Sequence, residues 1–274
     1  MSIAALSSAM GFSHLLLLAA IQGITEFIPV SSSGHLNLAH ALTSLNDHGV
    51  GMDVALHGGT LIAVMVYFRK ETFGLLTGGA HIIGRRDSPQ AQASRLLIIA
   101  TLPILLAAAL LVASGLLAHL RTAEVIAWAS IIFAVPLYLA DRYGPNTENM
   151  AGLRARPALL IGLAQIFALI PGASRAGVTI TAARALGMQR EEAARFSMLL
   201  SMPVIFCFAL LGLIELIAEG DGTALSQALL GAGLAAIFAF LTIDVFMRMT
   251  RHMSLLPFVI YRLVLGIALL LLIS

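Results

Sequence analysis

The chain has 274 residues, 59% hydrophobic and 11% charged, with a mean hydropathy of +0.95. Soluble domains are about 45–50% apolar and about 25% charged, so a water-soluble globular protein is excluded. The net charge of +2 comes from fifteen Arg and one Lys scattered between apolar runs rather than gathered on one basic face, which sets nucleic acid aside as a partner.

Segments such as 96–118 and 264–273 are continuously apolar, unlike the alternating strands of a β-barrel. The expectation is an all-α integral membrane protein, one membrane domain over 1–274. The first element, about 11–49, begins apolar and is cut by Pro29-Val-Ser-Ser-Ser-Gly34. No Lys or Arg precedes Arg69, so the stretch from Leu15 lacks the positive flank of a cleaved signal peptide and is expected to be retained. Spans are then expected at about 53–68, 95–118 and 123–140, followed by a second interrupted region, about 157–192, cut by Pro171-Gly-Ala-Ser-Arg-Ala-Gly177. Further spans follow at about 193–218, 224–247 and 255–273. Pro removes a backbone donor, and Gly and Ser tolerate turns. Each interrupted region is therefore expected to be a helix, a break and a short helix, giving six transmembrane helices plus two re-entrant helical hairpins. The single cysteine, Cys207, permits no intrachain disulfide and no cysteine-based metal cage.

Cytoplasmic loops are enriched in Lys and Arg. Segments 69–95, 141–156 and 248–252 hold most of the bases, whereas the alternate connections hold Arg121 with Glu124, and Glu219 with Asp221. Both termini are then expected outside. Three spans separate the hairpins, so the hairpins enter from opposite faces, as in an inverted-topology repeat of about 1–140 and 157–274. Residue pairs support it: Gln22/Gln165 and Gly34/Gly177 lie 143 positions apart, Pro29/Pro171 and Ser32/Ser174 lie 142 apart. Inverted repeats with broken helices place the site near the midplane, where the breaks meet.

In the first break, Gln22 and Glu26 share a helix face, followed by Ser31, Ser32 and His35. An intramembrane carboxylate faces a cavity or a partner, and a histidine beside it is suited to proton transfer. In the second break, a helix starting at Ser174 aims free N–H groups, a hydroxyl and the Arg175 guanidinium at one point, with Thr179 on the same face. That is an anion site, best matched by phosphate, and Glu26 and Arg175 are expected to touch. His57 has comparable claims as pocket lining or structural residue. Arg262 is expected to pair with Asp244, Glu215 or substrate, chiefly in a structural role. Nucleotide-binding loops and zinc-hydrolase spacings are absent.

The motifs Gln22-Gly-Ile-Thr-Glu26-Phe-Ile-Pro29-Val-Ser-Ser-Ser-Gly-His35 and Pro171-Gly-Ala-Ser174-Arg175-Ala-Gly-Val-Thr179, with Tyr261-Arg262, resemble the bacitracin-resistance family of undecaprenyl pyrophosphate phosphatases. The resemblance implies a multi-pass enzyme of the bacterial inner membrane. It would hydrolyse undecaprenyl pyrophosphate to undecaprenyl phosphate and inorganic phosphate, recycling the lipid carrier for peptidoglycan synthesis and conferring bacitracin resistance. It further implies a divalent cation, Mg²⁺ or Ca²⁺, and a site opening to the outer, periplasmic face. Carried over by position, Glu26, Ser32 and His35 are the catalytic residues, Glu26 and Gln22 the metal ligands, and Ser174, Arg175 and Thr179 the phosphate binders. One position departs from the family: Ala176 stands where a second Ser is common. The first position of the acidic motif is Glu or Gln in the family, and Gln22 here leaves one carboxylate fewer for a cation. Ser32 is the candidate nucleophile, activated by Glu26 or His35, while His35 acting on water or attacking directly remains the competing route. The expected partners are a polyprenyl pyrophosphate lipid and membrane lipid, with a homo-oligomer allowed. The alternative class is a flippase or secondary transporter of a lipid phosphate or other anion, which shares this architecture but needs the anion-binding set far more than Glu26, Ser32 and His35.

Overall fold

The computed structural model describes residues 11–43, 49–116, 120–219 and 222–273. Eleven α-helices account for most of them: α1 (Phe12–Thr25), α2 (Ser32–Thr43), α3 (Gly49–Tyr67), α4 (Arg69–Ile83), α5 (Pro89–Ala113), α6 (Ala123–Tyr143), α7 (Ala155–Gln165), α8 (Arg175–Ala185), α9 (Arg190–Glu219), α10 (Gly222–His252) and α11 (Leu256–Ile273). Among the described residues there is no strand; one isolated bridge, Glu148 to Met188, ties the loop after α6 to the end of α8.

Helices α5, α6, α10 and α11 and the first part of α9, Arg190–Leu210, are long and apolar enough to cross a membrane. A sixth crossing requires α3 and α4 to count together, and these are bent by 96°. The segment 69–83 therefore differs from the loop expected between spans: it is helix, because no Pro interrupts the chain between the elbow at Phe68 and Gly84. At the elbow the Phe68 N–H donates to Val64 O and the Phe68 carbonyl accepts from Thr72 N, so both helices keep their backbone bonds through the turn. The next helix starts where Ser88 caps it, accepting from Ala91 N at 3.0 Å, with Pro89 in the first turn where no donor is needed.

Helices α1 and α7, at 14 and 11 residues, fall short of the ~20 needed to span hydrocarbon. Each leads into a break and a further short helix, and each packs on a long neighbour, α1 on α10 and α7 on α5. Small residues permit the close approach: a Cβ on Gly162 would stand 2.5 Å from Ala100 O, and one on Gly59 of α3 would stand 2.1 Å from Ala232 O of α10.

A small set of polar side chains is buried within an apolar interior, and the outer surface is apolar too. Gln22, Gln165 and Arg262 are fully buried, while Leu106, Leu110, Leu229 and Leu271 are mostly exposed. Lipid tails cover such an outer face, and an aqueous fold would not tolerate it. The molecule is thus a multi-pass helical membrane protein with two interrupted helix pairs brought together inside it. Asp221 lies outside the described residues, as do the side chains of Glu215 and Glu219.

Candidate active site

The first break begins at Glu26, the C-cap of α1, whose N–H donates to Gln22 O. The chain then turns through Pro29 to Ser31, which adopts φ +75°. The second break mirrors this locally: Ser174, the N-cap of α8, has φ +69°. Each hydroxyl accepts from the backbone N–H three residues on, Ser31 from Gly34 at 3.4 Å and Ser174 from Gly177 at 3.1 Å. The left-handed conformation is uncommon outside glycine, so two serines sharing it and the same bond are a specific match. They lie 143 positions apart, as do Gln22 and Gln165. The sequence pairing of Ser32 with Ser174 aligns the two Ile-Pro-x-x-Ser elements on their prolines, whereas the turn geometry is shared by Ser31 and Ser174.

The two breaks touch. Ser31 Oγ accepts from Gly172 N at 3.2 Å. Gly172, at φ +92°, presses so closely on α6 that a Cβ would stand 2.5 Å from Ile126 O. Arg262 of α11 binds both turns at once. It is fully buried, and its guanidinium donates to five carbonyls: Pro29 in the first break, Gly172 and Ala173 in the second, Ala129 and Ser130 of α6. Asp244, one of the carboxylates expected for Arg262, is not its partner, and the Glu215 side chain lies outside the described residues. Asp244 instead pairs with Arg248 at 2.8 Å, one helical turn on, since both sit on the exposed end of α10. Carbonyls freed by the breaks have no helical donors, and one guanidinium supplies five N–H groups in a rigid fork.

Glu26 gathers the site residues. Its Oε2 accepts from Ser32 Oγ at 2.7 Å and from Gln22 Nε2 at 3.1 Å. Its Oε1 accepts from Arg175 Nη2 at 3.2 Å, and His57 Nε2 lies 3.7 Å from Oε2. The carboxylate is 8% exposed, so this network replaces the water it has lost. Arg175 is further held by Nη1 donating to Ser197 O at 3.1 Å, while its Nε is buried without an acceptor.

His35 stands slightly apart. Its Nδ1 donates to Ser31 O at 2.7 Å, which leaves Nε2 as the acceptor for Tyr261 OH at 2.5 Å, with the two rings stacked. Thr179 is fully buried, its hydroxyl bonded to Arg175 O at 2.8 Å and to Ser197 Oγ at 2.7 Å. Its contact with the site runs through Arg175 rather than through an open hydroxyl. Four residues at the site escaped prominence in the sequence. Ser197 is one of several small polar residues in an apolar span, Ser31 is one of three consecutive serines, Tyr261 carries no signal beyond its place beside Arg262, and His57 has the single signal of a histidine directly before Gly58-Gly59.

Divalent cations of the hard class take oxygen ligands. Among the described residues no group of three His, Cys, Asp or Glu side chains converges. Glu26 is accompanied by the Ser32 hydroxyl and by Gln22, whose Oε1 is buried without a partner. One carboxylate with two neutral oxygens fits a cation that completes its shell with phosphate and water.

A family model described as "Bacitracin resistance protein BacA" matches residues 15–268. Undecaprenyl-diphosphatase of Maricaulis maris (strain MCS10) is 47% identical over 264 residues, covering 95% of this chain and 98% of that one. The protein of the same name from Roseobacter denitrificans (strain ATCC 33942 / OCh 114) is 45% identical over 94% and 97% of the two chains. That of Alcanivorax borkumensis (strain ATCC 700651 / DSM 11573 / NCIMB 13689 / SK2) is 42% identical over 95% and 98%. With nearly its whole length matched by the family model and by such relatives, the chain belongs to the bacitracin resistance protein BacA family.

Proposed function

We propose that the protein hydrolyses undecaprenyl pyrophosphate to undecaprenyl phosphate and inorganic phosphate, returning the lipid carrier to peptidoglycan synthesis and thereby conferring bacitracin resistance. The observation that carries the mechanism is that one buried carboxylate, Glu26, bonds a hydroxyl at 2.7 Å and a guanidinium at 3.2 Å. Arg175, with its unpartnered Nε and the N-terminus of α8 capped by Ser174, binds the pyrophosphate oxygens. Thr179 and Ser197 hold Arg175 in place. Ser32 Oγ bonds to the terminal phosphorus as its proton passes to Glu26 Oε2, and the bond from that phosphorus to the bridging oxygen breaks, releasing undecaprenyl phosphate. Water then attacks the phosphoserine, its proton passing to the Tyr261 oxygen as the Tyr261 hydroxyl proton moves to His35 Nε2, and Glu26 returns its own to Ser32 as inorganic phosphate leaves. Glu26 and Gln22 would hold a Mg²⁺ or Ca²⁺, whose contribution when bound is neutralisation of phosphate charge.

The fold reading that accompanies this function makes the two interrupted pairs re-entrant hairpins of an inverted-topology repeat, about 1–140 and 157–274, within a single membrane domain. The matched serines 31 and 174 and the shortness of α1 and α7 support it. The arginine-rich connections support an inner-membrane orientation with both termini outside and the site opening to the periplasmic face.

The test is phosphate release from purified protein given a polyprenyl pyrophosphate, comparing wild type with Glu26→Ala. Cation-dependent release that disappears in the variant supports the reading, as does acid-quench capture of phosphate on Ser32. A folded wild type that binds the lipid without releasing phosphate refutes hydrolysis and points to lipid translocation, measured in liposomes.

A further inference from the structure

We propose that the elbow between α3 and α4 binds the phosphate group of an anionic phospholipid, at a site separate from the one containing Glu26. A cavity of about 400 Å³ opens where the elbow meets the first turns of α9 and the last turns of α10. Its walls carry four cations, Arg69, Lys70, Arg195 and Arg251, against two carboxylates, Glu71 and Glu191. Both carboxylates are already engaged. Arg195 bonds Glu71, and Arg251 Nε donates to Glu191 Oε1 at 2.8 Å. Arg69 and Lys70 form no ion pair among the described residues and are exposed. A cavity with surplus cations is matched by a phosphate-bearing anion.

The start of α4 adds to this. The helix begins at Arg69, and Phe68 provides no side-chain cap. Its first turn lines the cavity, so the positive end of the helix dipole adds to the cationic side chains. Along α3, Tyr67 lies ten residues beyond His57, a rise of about 15 Å, which separates this cavity from Glu26.

The surroundings select a lipid over a soluble phosphate. One turn along α4, Phe73 and Leu76 are 68% and 65% exposed, and on α10 Leu241 and Val245 are 58% and 56% exposed. A headgroup phosphate seated among the cations leaves acyl chains to cover those side chains. Basic pockets between transmembrane helices recognise anionic headgroups in this manner.

The experiment uses the full chain in a neutral detergent, with thermal unfolding and native mass spectrometry. Dioleoylphosphatidylglycerol is compared with dioleoylphosphatidylcholine, for wild type and for Arg69→Gln/Lys70→Gln. The anionic lipid is expected to bind about tenfold more tightly than the zwitterionic one and to raise the unfolding temperature. The double variant is expected to lose most of that preference while its phosphate release stays within about twofold of wild type, which shows that it is folded. Should the double variant not fold, Lys70→Gln alone, at an exposed and unpaired side chain, carries the same comparison. Equal binding of the two lipids, or an unchanged preference in the variant, overturns the proposal. Stabilisation by inorganic phosphate that matches the lipid and depends on Arg69 and Lys70 assigns the cavity to soluble phosphate and overturns the lipid.

Discussion

Arg175 Nη2 and Glu26 Oε1 lie 3.2 Å apart although 149 positions separate the two residues in sequence. The contact joins the second break to the first, and both side chains are largely buried. Neither charge is tolerable there alone, since removing one partner of a buried pair costs about 3–5 kcal/mol. The pair therefore serves structure in the resting protein and is available for exchange when a phosphate competes for the guanidinium.

Arg175→Ala is expected to lower kcat/KM by roughly 10²–10⁴-fold, from the loss of about two charge-assisted hydrogen bonds to phosphate. Arg175→Lys keeps the charge near Glu26 but not the planar fork, so it should fold as wild type and remain strongly impaired. Steady-state phosphate release beside a thermal unfolding curve checks both. An active Arg175→Ala enzyme would falsify the anion-site assignment.

Tyr261→Phe removes the hydroxyl that donates to His35 Nε2 but keeps the stacked ring. A neutral hydrogen bond is worth about 0.5–1.5 kcal/mol net, so kcat should fall by about 2–12-fold with little change in KM. Tyr261→Ala, which also frees the imidazole ring, should fall further. Equal activity of Tyr261→Phe and wild type would remove Tyr261 from the reaction.

Arg262→Met should destabilise the fold by about 3 kcal/mol or more, because the carbonyls of Pro29, Gly172 and Ala173, buried in the two breaks and without helical donors, lose the guanidinium that binds them. Arg262→Lys should recover little, since an ammonium cannot fan five bonds into two turns and a helix. Unfolding temperature in detergent and limited proteolysis near Pro29 and Gly172 provide the readout. Wild-type stability in Arg262→Met would show that the carbonyls find other donors.

Chelation should abolish phosphate release and added Mg²⁺ or Ca²⁺ should restore it, in keeping with the oxygen donors at Glu26, Ser32 and Gln22. Gln22→Ala should raise the cation concentration needed for half-maximal rate, about 10-fold, if the unpartnered Oε1 is a ligand. Gln22→Glu should lower it. Full activity in chelator would exclude the cation from the reaction.

Much of the site was legible because the chemistry is local. Gln22 and Glu26 share a face by helical spacing, and Ser174 caps α8 by the rule that places serine at helix starts. The breaks were visible as Pro, Gly and Ser within apolar runs, and the contact between Glu26 and Arg175 followed from the need to compensate buried charge. In sequence the two turns pair at 142 positions on the prolines and at 143 on Gln22/Gln165 and Gly34/Gly177, and the positive φ shared by Ser31 and Ser174, which no sequence signal carries, has the second spacing.

By itself, the sequence determined that this is an all-helical membrane protein with two interrupted helices and a charged pair inside, since hydrophobicity and helix-breaking residues act at short range. The tertiary structure decided the partners that come from elsewhere in the chain. Arg262 binds carbonyls in three separate elements, Tyr261 reaches His35 across 226 positions, and the elbow at Phe68 gathers cations from α4, α9 and α10. Backbone carbonyls and N–H groups are present at every residue and carry no sequence signature. Which of them are left open, and which side chain meets them, is set only when the helices pack.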